Sequence, residues 1–329
     1  MIVLAGDVGG THARLAIADV RNGGPVHLVM ERRYPSPEYP GLAPIVREFL
    51  REVSARPERA CFGVACQLEG DECAAANLPW TIRVGELASA IGIRATRVIN
   101  DFSAAGHGIA CLSAGDLATL QAGEPDHRGP AVLVGAGTGL GEGFLLWDGT
   151  HHRVVPSEGG HAGFAARDER QFALAQYLRK AHGHASWERV LSGPGLVDTY
   201  RFLASSGAAS ESEAVKAAMA REDPAAVVTR FGLGGSDALC AATLDLFVDA
   251  FGALAGDLAL AFVATGGVYL AGGIAPRLVD RLGDGRFLRA FCDKGRKAAF
   301  LARVPVHVVL SPDVGLLGAA AAAAAWAGD

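Results

Sequence analysis

The stretch VINDFSAAG, residues 98–106, places an amide and a carboxylate, Asn100 and Asp101, where an apolar strand runs out and a small-residue helix begins. An unperturbed aspartate titrates near pH 4, so Asp101 is ionised at neutral pH. It can then orient a hydroxyl and take its proton as that oxygen attacks phosphorus. Asn100 offers a donor and an acceptor to a second hydroxyl. A structural role is open to the same residues, since Asp101 or Ser103 can cap a helix beginning near Ala104.

Four more polar residues have types and spacing that suit chemistry. PSEGGHAGF carries Glu158 and His161 across two glycines, and HASWERVLSGPG carries Glu188 near an expected helix start. Carboxylates, an amide and an imidazole together suit recognition of a polyhydroxylated ligand. Glu158 and His161 could instead bind a metal, but no third ligand stands at a suitable spacing. Glu188 has a rival role as favourable charge at a helix N-terminus. Asp7, in a glycine loop directly after a strand, can hold Mg²⁺ directly or through water when phosphates are near, or can stabilise the turn by an Asx contact. The histidines at 151, 152, 182 and 184 read as loop or surface residues.

Three glycine clusters follow or close apolar strands: GDVGGT (6–11), GAGTGLG (135–141) and LAGGIAP (270–276). Glycine lets backbone N–H groups approach an anion, and Thr11 and Thr138 add hydroxyl donors. Each loop alone could be only a tight turn. The P-loop pattern is absent. GAGTGLGEG also lacks the dinucleotide register, because Leu140 and Glu142 stand at the third-glycine positions and a strand follows where a helix is required.

The elements that must position these residues alternate. IVLAGDVGGTHARLAIADV reads as strand 2–6, a turn at Gly9-Gly10 and a returning strand 13–20, with GPVHLVMERRYP as a third strand. A helix is expected over 39–53, a strand over 59–66, a helix over 84–92 and a strand over 95–100. GPAVLVGAGTGLGEGFLLW repeats the strand, glycine turn, strand pattern. After it come helices at 168–182, 186–191, 194–205, 209–221 and about 236–264, then strands in GGVYLAGGIAP and VPVHVVLSP. Two related α/β domains follow from the repeat, with the boundary near residues 110–130.

At 329 residues the chain has room for two domains, and half of it is apolar. A net charge of −5 argues against a nucleic-acid surface, which needs a basic stripe. The opening MIVLAGD has no basic region, so no signal peptide is expected. The apolar run 319–325 is too short to span a membrane and reads as a closely packed alanine helix. None of the six cysteines forms C-x-x-C, and free thiols in a reducing cytosol are expected.

Taken in order, LAGDVGGTHARLAIADV, VINDFSAAG, VGAGTGLG, PSEGGHAGFA, ERVLSGPGLVDTYR, LAGGIAPR and PDVGLLGAAA resemble the bacterial glucokinase family, of the ATP-dependent, hexokinase-like kind. SEGGH with ERVLSGPGL is quite specific, whereas GDVGGT alone indicates only the superfold. The resemblance implies two actin-like ATPase (ribonuclease H-like) α/β domains flanking a cleft. The small one comprises 1–110 plus 312–329 and the large, helix-rich one 111–311. It implies glucose bound by Asn100, Asp101, Glu158, His161 and Glu188, with Asp101 the general base at the 6-hydroxyl. It also implies ATP phosphates on the loop Gly6, Asp7, Val8, Gly9, Gly10 and Thr11, with Asp7 towards Mg²⁺ through water. Gly137 and Thr138 would form a second phosphate loop, and Gly272 and Gly273 would border the adenosine. A cytoplasmic homodimer, without nucleic acid or membrane as partner, completes the expectation. Two departures stand out. His12 occupies a position where the family usually has Asn, and Cys66-Gln67 stands for the usual Cys-Pro.

Overall fold

The computed structural model describes residues 1–21, 25–75, 78–207 and 209–325, with the side chain of Gln67 outside the description. The chain divides into two compact units. One is Met1–Asp116 with Arg153–Pro156 and Ser311–Asp329; the other is Leu117–His152 with Ser157–Leu310.

The first unit is built on strands β1 (Ile2–Val8), β2 (His12–Val20), β3 (Val26–Pro35), β4 (Arg59–Val64) and β8 (Ala95–Asn100), in the order β3-β2-β1-β4-β8. β1 is antiparallel to β2 but parallel to β4, and β4 is parallel to β8. Strands covered on both faces can be apolar throughout, which is how β1 and β4 read. Leu4, Leu15 and Phe62 face helix α1 (Leu42–Glu52) through Ile45, Val46 and Phe49. Val3, Ala5, Ala16 and Cys61 face the alanine-rich helix Val314–Ala325.

Close approach explains the alanines. A Cβ built at Gly318 would come within 1.7 Å of the Ala104 carbonyl oxygen, and one at Gly108 within 2.0 Å of that of Val314. Helix α3 (Asp101–Ile109) and the last helix therefore touch backbone to backbone. Only small residues permit that distance.

Between β4 and β8 lies a small sheet of β5 (Cys66–Glu69), β6 (Glu72–Ala75) and β7 (Thr81–Arg83), with helix α2 (Val84–Ile91) following. The single strand expected over 59–66 is thus two, broken at Ala65. The expectation of free thiols is corrected here as well. Cys66 and Cys73 lie on facing strands of the β5–β6 hairpin, 5.9 Å apart at Cα, and are joined by a disulfide. Cys61, Cys111, Cys240 and Cys292 are free.

In the second unit, β10 (Ala131–Ala136) pairs antiparallel with β11 (Leu140–Trp147) and parallel with β13 (Gly267–Ala271). Beyond β13 come β14 (Val306–Val309) and β9 (Leu117–Gln121), the latter falling in the stretch expected as the domain boundary. The short strand β12 (His152–Ser157) also escaped the sequence pattern. The core gathers around helices α4 (Glu169–His182), α5 (Gly193–Ser205), α6 (Glu213–Met219), α7 (Pro224–Leu233) and α8 (Ala238–Ala261). α8 is long and apolar enough to cross a membrane, but 72% of its most apolar window is buried in this core.

Two helix expectations fail. The helix read over 209–221 spans only Glu213–Met219, capped by Ser212, and a separate α7 starts at Pro224 behind an Asp223 cap. Residues 186–191 form turns instead of a helix. The amides of Trp187 and Glu188, which a helix would leave to its own first turn, donate instead to the carbonyls of Ala162 and Gly160.

Candidate active site

In the first unit, the ends of three parallel strands lie side by side. Asp7 pairs with Gly63, and Val64 with Asn100. Ligands of open α/β sheets gather at such carboxyl ends. Asp7 is a residue of β1 itself rather than of the loop, and Gly6 and Val8 beside it are buried in the sheet. Gly9, Gly10 and Thr11 make the turn. Ser36 holds its carbonyls, donating from Oγ to Gly9 at 2.9 Å and from its amide to Thr11 at 3.1 Å. A turn whose carbonyls are fixed on one side can present amides on the other.

The Asp7 carboxyl is pushed up to about 6 by burial. Arg14 opposes that shift, while Asp101, Glu31 and Asp313 add to it. Arg14 is held by Glu31 at 2.8 Å, by the Pro312 carbonyl at 2.7 Å and by Asp313. Gly315 lies so close that a Cβ there would sit 3.3 Å from the Asp7 carboxyl. Negative charge accumulates here faster than one guanidinium offsets it, which suits a divalent cation. Among the described residues no cluster of three or more His, Cys, Asp or Glu could hold a metal unaided. Phosphate and water would therefore have to complete the coordination.

Asn100, rather than Asp101 or Ser103, caps α3, which begins at Asp101 and not near Ala104. Asn100 Oδ1 accepts from the amides of Phe102 at 2.9 Å and Ser103 at 3.1 Å, and Nδ2 donates to the Cys66 carbonyl at 3.2 Å. Gly63 lets the helix start come close, since its Cβ would lie 2.7 Å from that of Ala104. His12 shares its Nδ1 with the Arg33 guanidinium at 2.9 Å. The Gln67 side chain, the other departure, lies outside the described residues.

In the second unit, Glu158, His161 and Glu188 come together. Gly159–His161 form a 3-10 turn, and His161 lies 3.8 Å from the Glu158 carboxylate and 3.9 Å from that of Glu188. Glu188 stands in a turn, so it is not the helix-start charge the sequence left open. Its Oε2 accepts from the Leu140 amide at 3.0 Å, and a Cβ at Gly139 would collide with it. The glycine loop after β10 thus positions Glu188, a function the phosphate reading of that loop did not contain.

Gly137 and Thr138 border a cavity of about 620 Å³ together with Gly273. Gly272, adjoining it, has a left-handed φ of 80°, and a Cβ there would lie 2.4 Å from the Ala136 carbonyl oxygen, so both its backbone and its surroundings call for glycine. His182, Asp198, Arg189, Arg201 and Arg277 line the same cavity. His182 Nε2 is paired with the Asp198 carboxylate at 2.7 Å, a contact that no local sequence pattern marks. It is an exposed residue, as expected, at the last position of α4.

The sequence matches the family model described as Glucokinase over residues 4–326. The chain belongs to the glucokinase family. Curated glucokinases of Trichormus variabilis and Synechocystis sp. are 42% and 39% identical to it, each alignment covering 98% of this chain and 99% or 97% of the relative. The crystal structure of glucokinase from an Antarctic psychrotroph superposes with a TM-score of 0.87 at 33% identity, covering 98% of both chains. The fold is accordingly the actin-like ATPase α/β fold. A glucokinase from Balamuthia mandrillaris in complex with glucose, at 20% identity and TM-score 0.79, shares that fold over 98% of this chain and 93% of its own.

Proposed function

We propose that the protein transfers the γ-phosphoryl group of ATP to the 6-hydroxyl of glucose, with Asp101 as general base. The observation that carries this reading is the junction of β8 and α3. There a cap made by Asn100 fixes the first helical residue, and that residue is an aspartate at the carboxyl ends of the parallel strands β1, β4 and β8. Asp101 accepts the hydroxyl proton as the oxygen attacks phosphorus, and the rest of catalysis is placement and charge.

Glu158, His161 and Glu188 bind sugar hydroxyls. Asn100 has its acceptor committed to the cap and one amide hydrogen to Cys66, so it offers the sugar a single N–H. Gly10 and Thr11 hold phosphate oxygens through backbone amides, while the Gly9 amide, donated to the His12 carbonyl at 2.9 Å, closes the turn that presents them. Gly137, Thr138, Gly272 and Gly273 border the nucleotide in the cavity of the second unit. Asp7 holds Mg²⁺ through water, and the ion supplies charge neutralisation for the triphosphate. Arg14, held by Glu31 and Asp313, offsets part of the Asp7 charge.

A cytoplasmic homodimer goes with this reading. The dimer is supported by the family resemblance. The compartment is supported by the use of ATP and not by the thiols, given the Cys66–Cys73 bond. The test is ADP release with ATP, Mg²⁺ and glucose, with glucose 6-phosphate detected directly. Wild type is expected to turn over, and Asp101→Ala to lose a hundredfold to ten-thousandfold in kcat, roughly the contribution of a general base. Wild-type kcat in that variant sinks the assignment. Turnover with another hexose alone moves the substrate and leaves the mechanism.

A further inference from the structure

Glu142 stands in β11 opposite Val134 and is 2% exposed. Its Oε1 is buried without a hydrogen-bond partner among the described residues. Its Oε2 lies against Gly159: a Cβ built there would come within 2.0 Å of it and within 3.0 Å of Ser157 Oγ. Gly159 opens the turn that carries His161 and follows Glu158. An acidic group thus sits directly beneath the turn.

A buried carboxyl with an orphaned oxygen is costly as an anion and persists as the neutral acid. Burial alone pushes Glu142 up to about 7. The groups that face it are Val134 from β10, the backbone of Gly159 and the Ser157 hydroxyl, which accepts the Gly159 amide at 2.9 Å; the titratable Glu158, His161 and Glu188 belong to the turn and its neighbour beyond Gly159. None of those three is among the causes of its shift.

We propose that Glu142 is a positioning residue for sugar binding: as a neutral acid it supports the Glu158–His161 turn in its binding geometry, and on losing its proton to solvent it releases that turn. The proposal rests on the reading of Glu158 and His161 as glucose ligands. Its physical basis is the position of Gly159. An ionised Glu142 needs water, and the backbone pressed against Oε2 has to move to admit it. Binding and ionisation then oppose one another, so glucose must raise the proton affinity of Glu142 by the same factor that ionisation weakens glucose.

The test is glucose KM and kcat for wild type, Glu142→Gln and Glu142→Val from about pH 6 to about pH 9, flanking the ordinary histidine range. The wild-type KM is expected to rise on the order of fivefold, the low end of typical coupling, relative to both variants, with kcat profiles parallel in all three. Calorimetry in two buffers near pH 8 is expected to show proton uptake on glucose binding in wild type and less in Glu142→Gln. Parallel KM profiles with equal proton uptake overturn the proposal while leaving the glucokinase reading intact. Absence of both glucose turnover and glucose binding in wild type overturns the glucokinase reading, and the proposal with it.

Discussion

The side-chain amide of Asn100 donates to the backbone carbonyl of Cys66, 3.2 Å away. One residue therefore ties the start of α3, where the proposed base sits, to the first residue of a disulfide-closed hairpin. A cap alone needs only an acceptor, and Asn100 uses its donor as well.

Asn100→Ala removes both contacts, whereas Asn100→Ser keeps the acceptor for the cap. The cap is worth about 1 kcal/mol, so Ala is expected to lower stability by that amount and Ser to recover most of it. Recovery of kcat is not expected with Ser, because the tether to Cys66 is still missing. Denaturant midpoints measured beside kcat separate the two roles. Full kinetic rescue by Ser shows that only the cap matters.

The disulfide closes a loop whose cysteines are seven residues apart. In the chain-entropy account such a short loop contributes roughly 2 kcal/mol. Adding a dithiol reductant, or making Cys73→Ser, is expected to lower the thermal midpoint and to raise the glucose KM, since the Cys66 carbonyl loses its fixed position. A thermal midpoint and KM both insensitive to reductant contradict this coupling.

The central strands and both glycine hairpins were legible because each has a local signal, apolar runs and Gly at turns, whereas the Asn–Asp pair marked the strand-to-helix junction but not the residue that caps α3. What was hidden depended on partners distant in sequence. Residues 186–191 have helical spacing, but the amides of Trp187 and Glu188 are claimed by the carbonyls of Ala162 and Gly160. Nothing local marks Arg14 as the counter-charge of Asp7, or Cys73 as the partner of Cys66. Glu142 was read only as a failed glycine position. Its burial follows from strand pairing with Val134 and contact with Gly159, neither visible in a linear pattern. Among the proposed ligands, Glu158, His161 and Glu188 do come together, as sequence reasoning expected, although the helix expected to start near Glu188 is absent.

His182 and Asp198 meet across the wall of the cavity in the second unit. If that cavity takes the nucleotide, Asp198→Ala frees the imidazole and removes a polar wall without touching the sugar residues. The ATP KM is expected to rise several-fold, about 1 kcal/mol of uniform binding, while the glucose KM stays within about twofold. Steady-state titrations of each substrate at saturating levels of the other decide it. An unchanged ATP KM means the nucleotide lies elsewhere.

Glu142 also makes a stability prediction independent of any substrate. Its acid titrates near 4.5 in an unfolded chain and near 7 when folded. The folded protein therefore holds this proton more tightly. The stabilising effect is fully present below about pH 4.5 and is lost as pH rises, the loss being complete above about 7. A shift of this size corresponds to roughly 3 kcal/mol. Glu142→Gln cannot ionise, so it is expected to be more stable than wild type by about that much at pH 8, with the difference shrinking towards zero as pH falls to the unfolded value. Urea unfolding of the two proteins across that range measures it, because every other group titrates alike in both. A pH-independent difference means that Glu142 stays ionised when folded, and a partner must then be found for its charge.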